Sequence, residues 1–105
     1  MTIYGLPTCD TCRKARKALP AARFRDIRAE PLSEGDIKAF LAQFGERLVN
    51  RASTTWRSLS EAERQTMPEA LLSAHPALMK RPVILAGGVL YLGWAPDVRR
   101  ALGVN

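Results

Sequence analysis

The constraint that narrows this chain most lies in its first 27 residues. Thr2 to Tyr4 is β-prone and ends at Gly5 and Pro7, turn-makers because glycine accepts positive φ and proline fixes φ. From Asp10 to Leu19 the period becomes helical. Cys12, Ala15 and Leu19 share one face, Arg13, Lys14 and Lys17 point elsewhere, and Pro20 closes the helix. RFRDI then alternates basic and apolar residues, the period of two of a strand with one buried face; Phe24 points inward and Ile27 falls just beyond the alternation. At the other end, RPVILA and VLYLGW are apolar β-rich runs separated by a glycine pair, a hairpin signal. Ala95 to Leu102 reads as a closing helix, with Pro96 near its first turn and Gly103 near its stop.

The middle is helical. In SEGDIKAFLAQFG, Ile37, Phe40, Leu41 and Phe44 form an apolar stripe, Ser33 and Asp36 stand at capping-box spacing, and Gly45 marks the stop. Ser60 and Glu63 repeat the start signal, and Pro68 opens a further short helix. NRASTTWRSL, between them, is polar enough to be a loop. The order is β, α, β, several helices, β, β, α. That is an α/β chain with a thioredoxin-like fold (βαβ...ββα, mixed sheet) and a helical insertion, at about 33–80, between the second and third strands. A length of 105 residues predicts a single domain, 1–105.

Apolar residues at 47% and charged residues at 25% are ordinary globular values. The longest apolar stretch, PVILAGGVLYLGWAP, is interrupted by Gly87, Gly88 and Gly93 and is shorter than the roughly 18 residues of a membrane span. MTIYGLP has neither a basic nor an apolar leader region, so a cytoplasmic, reduced protein is expected, most simply a monomer. The net charge of +6 favours an anionic partner. Scattered basic residues and only seven aromatics argue against direct nucleic-acid binding.

Both cysteines of the chain lie in TCDTCRKARK. A zinc site needs about four ligands, and His75 alone cannot complete a set with Cys9 and Cys12; no metal is expected. Cys12 has two readings, a small core residue or a resolving thiol. Cys9 is different. Its place between a strand and a helix start puts it among unpaired backbone N–H groups and the positive end of the helix dipole, which favour a nucleophilic thiolate. Arg13 and Lys14 either add to that field or are solvated. Asp10 favours the helix and slightly opposes the thiolate. Thr11 either lends its hydroxyl to Cys9 or helps to cap the helix. Arg51 and Arg57, in the polar loop, are either surface residues or holders of a carboxylate or other anion. Trp56 and Trp94 read as packing residues, and His75 has no catalytic role.

TIYGLPTCDTCRKARKAL, LVNRASTTWRSL and HPALMKRPVIL followed by LGW resemble, in order, the arsenate reductase (ArsC), Spx and YffB-like family. The resemblance implies a thioredoxin-like fold with a helical insertion, a nucleophilic Cys9, a functional Arg81, and a cis bond that sets Pro82 beside the cysteine loop. Arsenate reductases of the family have a histidine where this chain has Gly5, a serine where it has Cys12, and an arginine near Trp94. Losing such donors weighs against oxyanion binding. The CxxC is similar to Spx and YffB-like proteins, and NRASTTWRSL resembles a YffB-like segment.

Three readings follow. The first is an enzyme, a glutathione-dependent thiol-disulfide oxidoreductase with Cys9, Cys12 and Arg81 as its catalytic set. Thr11, Arg13, Arg51, Arg57 and Pro82 are its substrate contacts. No cofactor is bound, and glutathione or a glutaredoxin-type reductant serves as co-substrate. The second is an Spx-like redox-sensing regulator of transcription that binds the RNA polymerase α-subunit. The third is an arsenate reductase.

Overall fold

Four short strands form one mixed sheet, seen in a computed structural model that describes residues 1–104. β1 (Thr2–Gly5) pairs in parallel with β2 (Arg23–Asp26), setting Ile3 opposite Phe24. On its other side β1 pairs antiparallel with β3 (Val83–Ala86), with Ile3 opposite Ile84. β3 pairs antiparallel with β4 (Val89–Leu92), with Ile84 opposite Tyr91, so the strand order is β2-β1-β3-β4. Successive strand residues alternate faces, which puts Phe24, Ile3, Ile84 and Tyr91 in one row across the sheet.

α1 (Asp10–Ala18) connects β1 to β2 and adds Ala15 and Leu19 to that row. Ile3, Ala15 and Ile84 are fully buried. Trp94 packs against this cluster, as do Leu102 and Val104 around α6 (Pro96–Ala101). The guanidinium of Arg16 lies over the Phe24 ring, 4.1 Å from its centroid. The β3–β4 turn uses Gly87 and Gly88 at φ 56° and 78°, the two positive φ values that a tight hairpin of this hand requires. Met1–Glu30, together with the chain from Arg81 onward, makes up this compact unit.

Pro31–Lys80 makes up the second unit. It contains α2 (Glu34–Phe44), α3 (Thr54–Ser58), α4 (Glu61–Arg64) and α5 (Pro68–Ala74), with 3-10 turns at Gly45–Leu48 and Pro76–Leu78. The capping signals read from sequence form as hydrogen bonds. Asp36 N–H donates to Ser33 Oγ at 3.0 Å and Ser33 N–H to Asp36 Oδ2 at 3.3 Å. Ser60 and Glu63 make the same reciprocal pair. Ile37, Phe40, Leu71 and Leu72 are buried, and α2 packs on α5. An antiparallel bridge between Val49 and Met79 ties the middle of the unit to its C-terminal end, with Asn50 N–H donating to Leu78 O at 2.8 Å.

Two expectations are corrected. NRASTTWRSL is not all loop: Ser53 accepts from Trp56 N–H at 3.1 Å and starts the five-residue α3. A helix this short carries no apolar period, and its polar residues read as loop. Gly5 is not a turn residue that ends the strand. It is the last member of β1, buried, and its φ is not positive. Among the described residues no helix is long and apolar enough to cross a membrane.

Ile84 joins β1, β3 and α1, so Ile84→Ala should cost about 2–5 kcal/mol of unfolding free energy. Urea denaturation measures it, and a loss below about 1 kcal/mol would place the core elsewhere.

Candidate active site

The end of β1 delivers the chain into a turn in which Cys9 N–H donates to Leu6 O at 3.1 Å. Cys9 is the N-cap of α1, with extended backbone at φ −79° and ψ 122°. Its carbonyl accepts the first helical hydrogen bond, from Arg13 N–H at 3.0 Å. The Cys9 side chain is therefore at the mouth of the helix, where first-turn N–H groups lack partners within the helix. Arg13 turns back on the same turn, with Nε donating to Pro7 O at 3.1 Å and Nη2 to Thr8 O at 3.4 Å. It braces the loop that carries Cys9. Lys14 meets Asp10 at 4.0 Å in an exposed pair that contributes little.

Cys12 is one helical turn on and fully buried, its sulfur packed at the bare α-carbon of Gly5. Both thiols are free. Burial pushes the Cys9 thiol up, but the Cys12 backbone N–H and side chain, then the Arg81 guanidinium by hydrogen bond and charge, more than offset it, and the Cys9 pKa falls below the ordinary thiol value. The sulfur does not reach the geometry of a full side-chain cap, yet it still feels the Cys12 N–H. Cys12 moves the other way. Burial first, then the hydrogen bond and charge of Cys9, push it up to about 12 against the opposing Leu6 backbone N–H and Arg81. One sulfur is prepared to carry charge and its neighbour to keep a proton.

Sheet register explains how Arg81 arrives. β3 runs antiparallel to β1 with Val83 opposite Tyr4, so Arg81, two residues before Val83, comes level with Leu6 at the start of the cysteine loop. The Arg81–Pro82 bond is cis, as the family resemblance implied. Pro82 is fully buried, and its carbonyl accepts from Gly93 N–H at 2.8 Å, which ties the approach to β3 to the end of β4.

Cys9, Cys12 and Arg81 thus form one set. Thr11 is in the first turn of α1, half-buried. Arg51 and Arg57 belong to the second unit, where each has a local partner. Arg51 meets Glu46 at 3.4 Å and lies over the Trp56 ring; Arg57 donates to Ala52 O at 3.3 Å. Arg64 lies over the same ring and donates to Trp56 O and Arg57 O. Trp56 is thereby a packing centre of that loop. His75 meets Glu63 at 3.5 Å. No group of three or more potential metal ligands exists among the described residues. Sequence reasoning missed the part of Gly5 and of the Leu6 N–H; a glycine inside a β-prone run was the available signal for the first.

A thioredoxin-type sheet with a CxxC at the start of α1 defines a thiol-site protein of that fold class. Residues 4–102 match the sequence model of the ArsC family, and the chain belongs to that family. It is 32% identical to the global transcriptional regulator Spx of Bacillus subtilis, over 97% of this chain and 86% of that protein. A solved YffB protein superposes with a TM-score of 0.83 at 34% identity, covering 95% of this chain and 96% of that one. An arsenate reductase (ArsC) related protein from Brucella melitensis gives a TM-score of 0.72 at 37% identity, over 95% and 91% of the two chains. These relatives support a thiol oxidoreductase or an Spx-like protein.

If Arg81 holds charge on Cys9, Arg81→Gln raises the pH midpoint of Cys9 alkylation and slows labelling at pH 7 several-fold. An unchanged midpoint would remove Arg81 from the site. The Cys12 thiol has the opposite linkage. Its raised value contributes stability that is present below the ordinary 9.0 and lost as pH rises from there toward about 12. Cys12→Ala should therefore flatten the fall of melting temperature between pH 8 and pH 11. An equally steep fall in the variant would contradict the assignment.

Proposed function

We propose that this protein is a glutathione-dependent thiol-disulfide oxidoreductase of the ArsC family, acting in a reducing compartment such as the cytoplasm. The observation that carries the reading is the place of Cys9 at the mouth of α1, where the Cys12 N–H and the Arg81 guanidinium lower its pKa while burial raises that of the neighbouring Cys12. The Cys9 thiolate attacks one sulfur of a disulfide, the S–S bond breaks, and the departing thiolate takes a proton from solvent. Arg81 and the N–H groups at the start of α1 hold negative charge as it moves between the sulfurs. Thr11, in the first turn of α1, stands next to the reacting thiol, and the buried Pro82 acts through the position of its neighbour Arg81. Arg13 acts through the loop it braces.

Resolution follows from the environment of Cys12. Once Cys9 is in a mixed disulfide its charge no longer raises Cys12, but burial, the larger cause, persists. Glutathione from solution is therefore the faster resolving thiol, and closure by Cys12 the slower route. An Spx-like role, binding the RNA polymerase α-subunit under control of the CxxC, is the second reading, favoured by the Spx relatives. Arsenate reduction is less well supported, because Trp94, which stands near the family's late arginine, is packed on the core cluster.

Turnover of a glutathione mixed disulfide by reduced glutathione tests the proposal. Wild type should turn over, Cys9→Ser should fall to background, and Cys12→Ser should keep most of the activity. Absence of turnover combined with capture of the RNA polymerase α-subunit would replace the enzyme by the regulator.

A further inference from the structure

Gly5 closes β1 on the same face as Ile3, toward α1. A Cβ placed there would run into Cys12 Sγ, come within 3.2 Å of Cys12 Cβ and stand 3.5 Å from Phe24 Cε1. Its φ is not positive, so backbone torsion does not call for glycine at this position. Space does, because glycine within a strand permits a close approach that any side chain would block. Cys12 is fully buried, and protein interiors are close-packed, so a sulfur pushed off Gly5 is driven against its neighbours.

We infer that Gly5 is a positioning residue for the dithiol: its bare α-carbon is the socket that holds the Cys12 sulfur beside Cys9, so position 5 decides whether an adduct on Cys9 can be closed internally. The inference rests on the reading of Cys9 as the attacking thiolate. With a disulfide RS–SR as oxidant, Cys9 sulfur forms Cys9–S–S–R and expels RS⁻, which is protonated to RSH. Cys12 then gives up its proton and attacks the Cys9 sulfur. A Cys9–Cys12 disulfide forms and the second RSH leaves with that proton. The pair is oxidised by two electrons, and RS–SR is reduced to two thiols. A methyl at position 5 expels the Cys12 sulfur from its socket. The first step keeps its nucleophile, and the second loses its geometry.

Glutathione disulfide serves as the probe, followed by mass spectrometry on wild type, Gly5→Ala, Cys12→Ala and the double variant. Wild type should proceed to the internal disulfide, whereas Gly5→Ala should stop with glutathione on Cys9 and close at least several-fold more slowly. Thermal melting supplies the second readout and still decides if Gly5→Ala folds poorly. Gly5→Ala should melt below wild type, and adding Cys12→Ala should raise it again, because the new methyl then fills the space the sulfur leaves. Internal closure in Gly5→Ala at the wild-type rate, or a double variant no more stable than Gly5→Ala, overturns the socket. A wild type that never forms an adduct on Cys9 overturns the proposed enzyme instead, and the melting comparison then judges the socket alone.

Discussion

The seating of α1 on β1 is the contact on which the site depends. Ala15 and Leu19 bury against Ile3 and Ile84, while Cys12, on the same helical face, closes on Gly5. Apolar burial fixes where the helix lies, and the helix start follows from it. Because Cys9 is the N-cap of a helix held in this way, its sulfur is presented at the end of β1 rather than wandering on a free loop. Arg13 adds to the same restraint by binding the carbonyls of Pro7 and Thr8.

Burial and charge then act in opposite senses on two sulfurs one turn apart. Each is penalised for ionising in a partly apolar environment, but only Cys9 receives enough donors to overcome the penalty. The proton kept by Cys12 is itself one of those donors. That hydrogen bond lowers the Cys9 pKa and raises that of Cys12, adding to the larger effects of burial on Cys12 and of the Cys12 backbone N–H on Cys9. Arg81 biases the pair toward charge, and it reaches the site through strand register rather than through any local motif.

Much of the local structure was legible in sequence, since the relevant physics acts over three or four residues. Ser33 with Asp36 and Ser60 with Glu63 announced two helix starts, Gly87–Gly88 a hairpin, and Pro96 a last helix, and each forms as read. Two features were misread for the same kind of reason. α3 is too short to show a period, so its cap at Ser53 had no supporting stripe. Gly5 looked like a turn because its real constraint, a sulfur seven residues further on, is spatial and not torsional.

By itself the sequence determined that a cysteine would stand at a helix mouth after a strand, because helix caps, strand alternation and proline stops are encoded within a few neighbouring residues. It could not determine which charges would reach that sulfur. Arg13 is adjacent in the chain, yet its guanidinium is spent on loop carbonyls, and Arg81, separated by the whole inserted segment, supplies the charge. Only the pairing of β1 with β3 and the burial of Cys12 decide this. Hydrogen-bond register and desolvation are properties of the assembled sheet and core, and no short stretch of residues contains them.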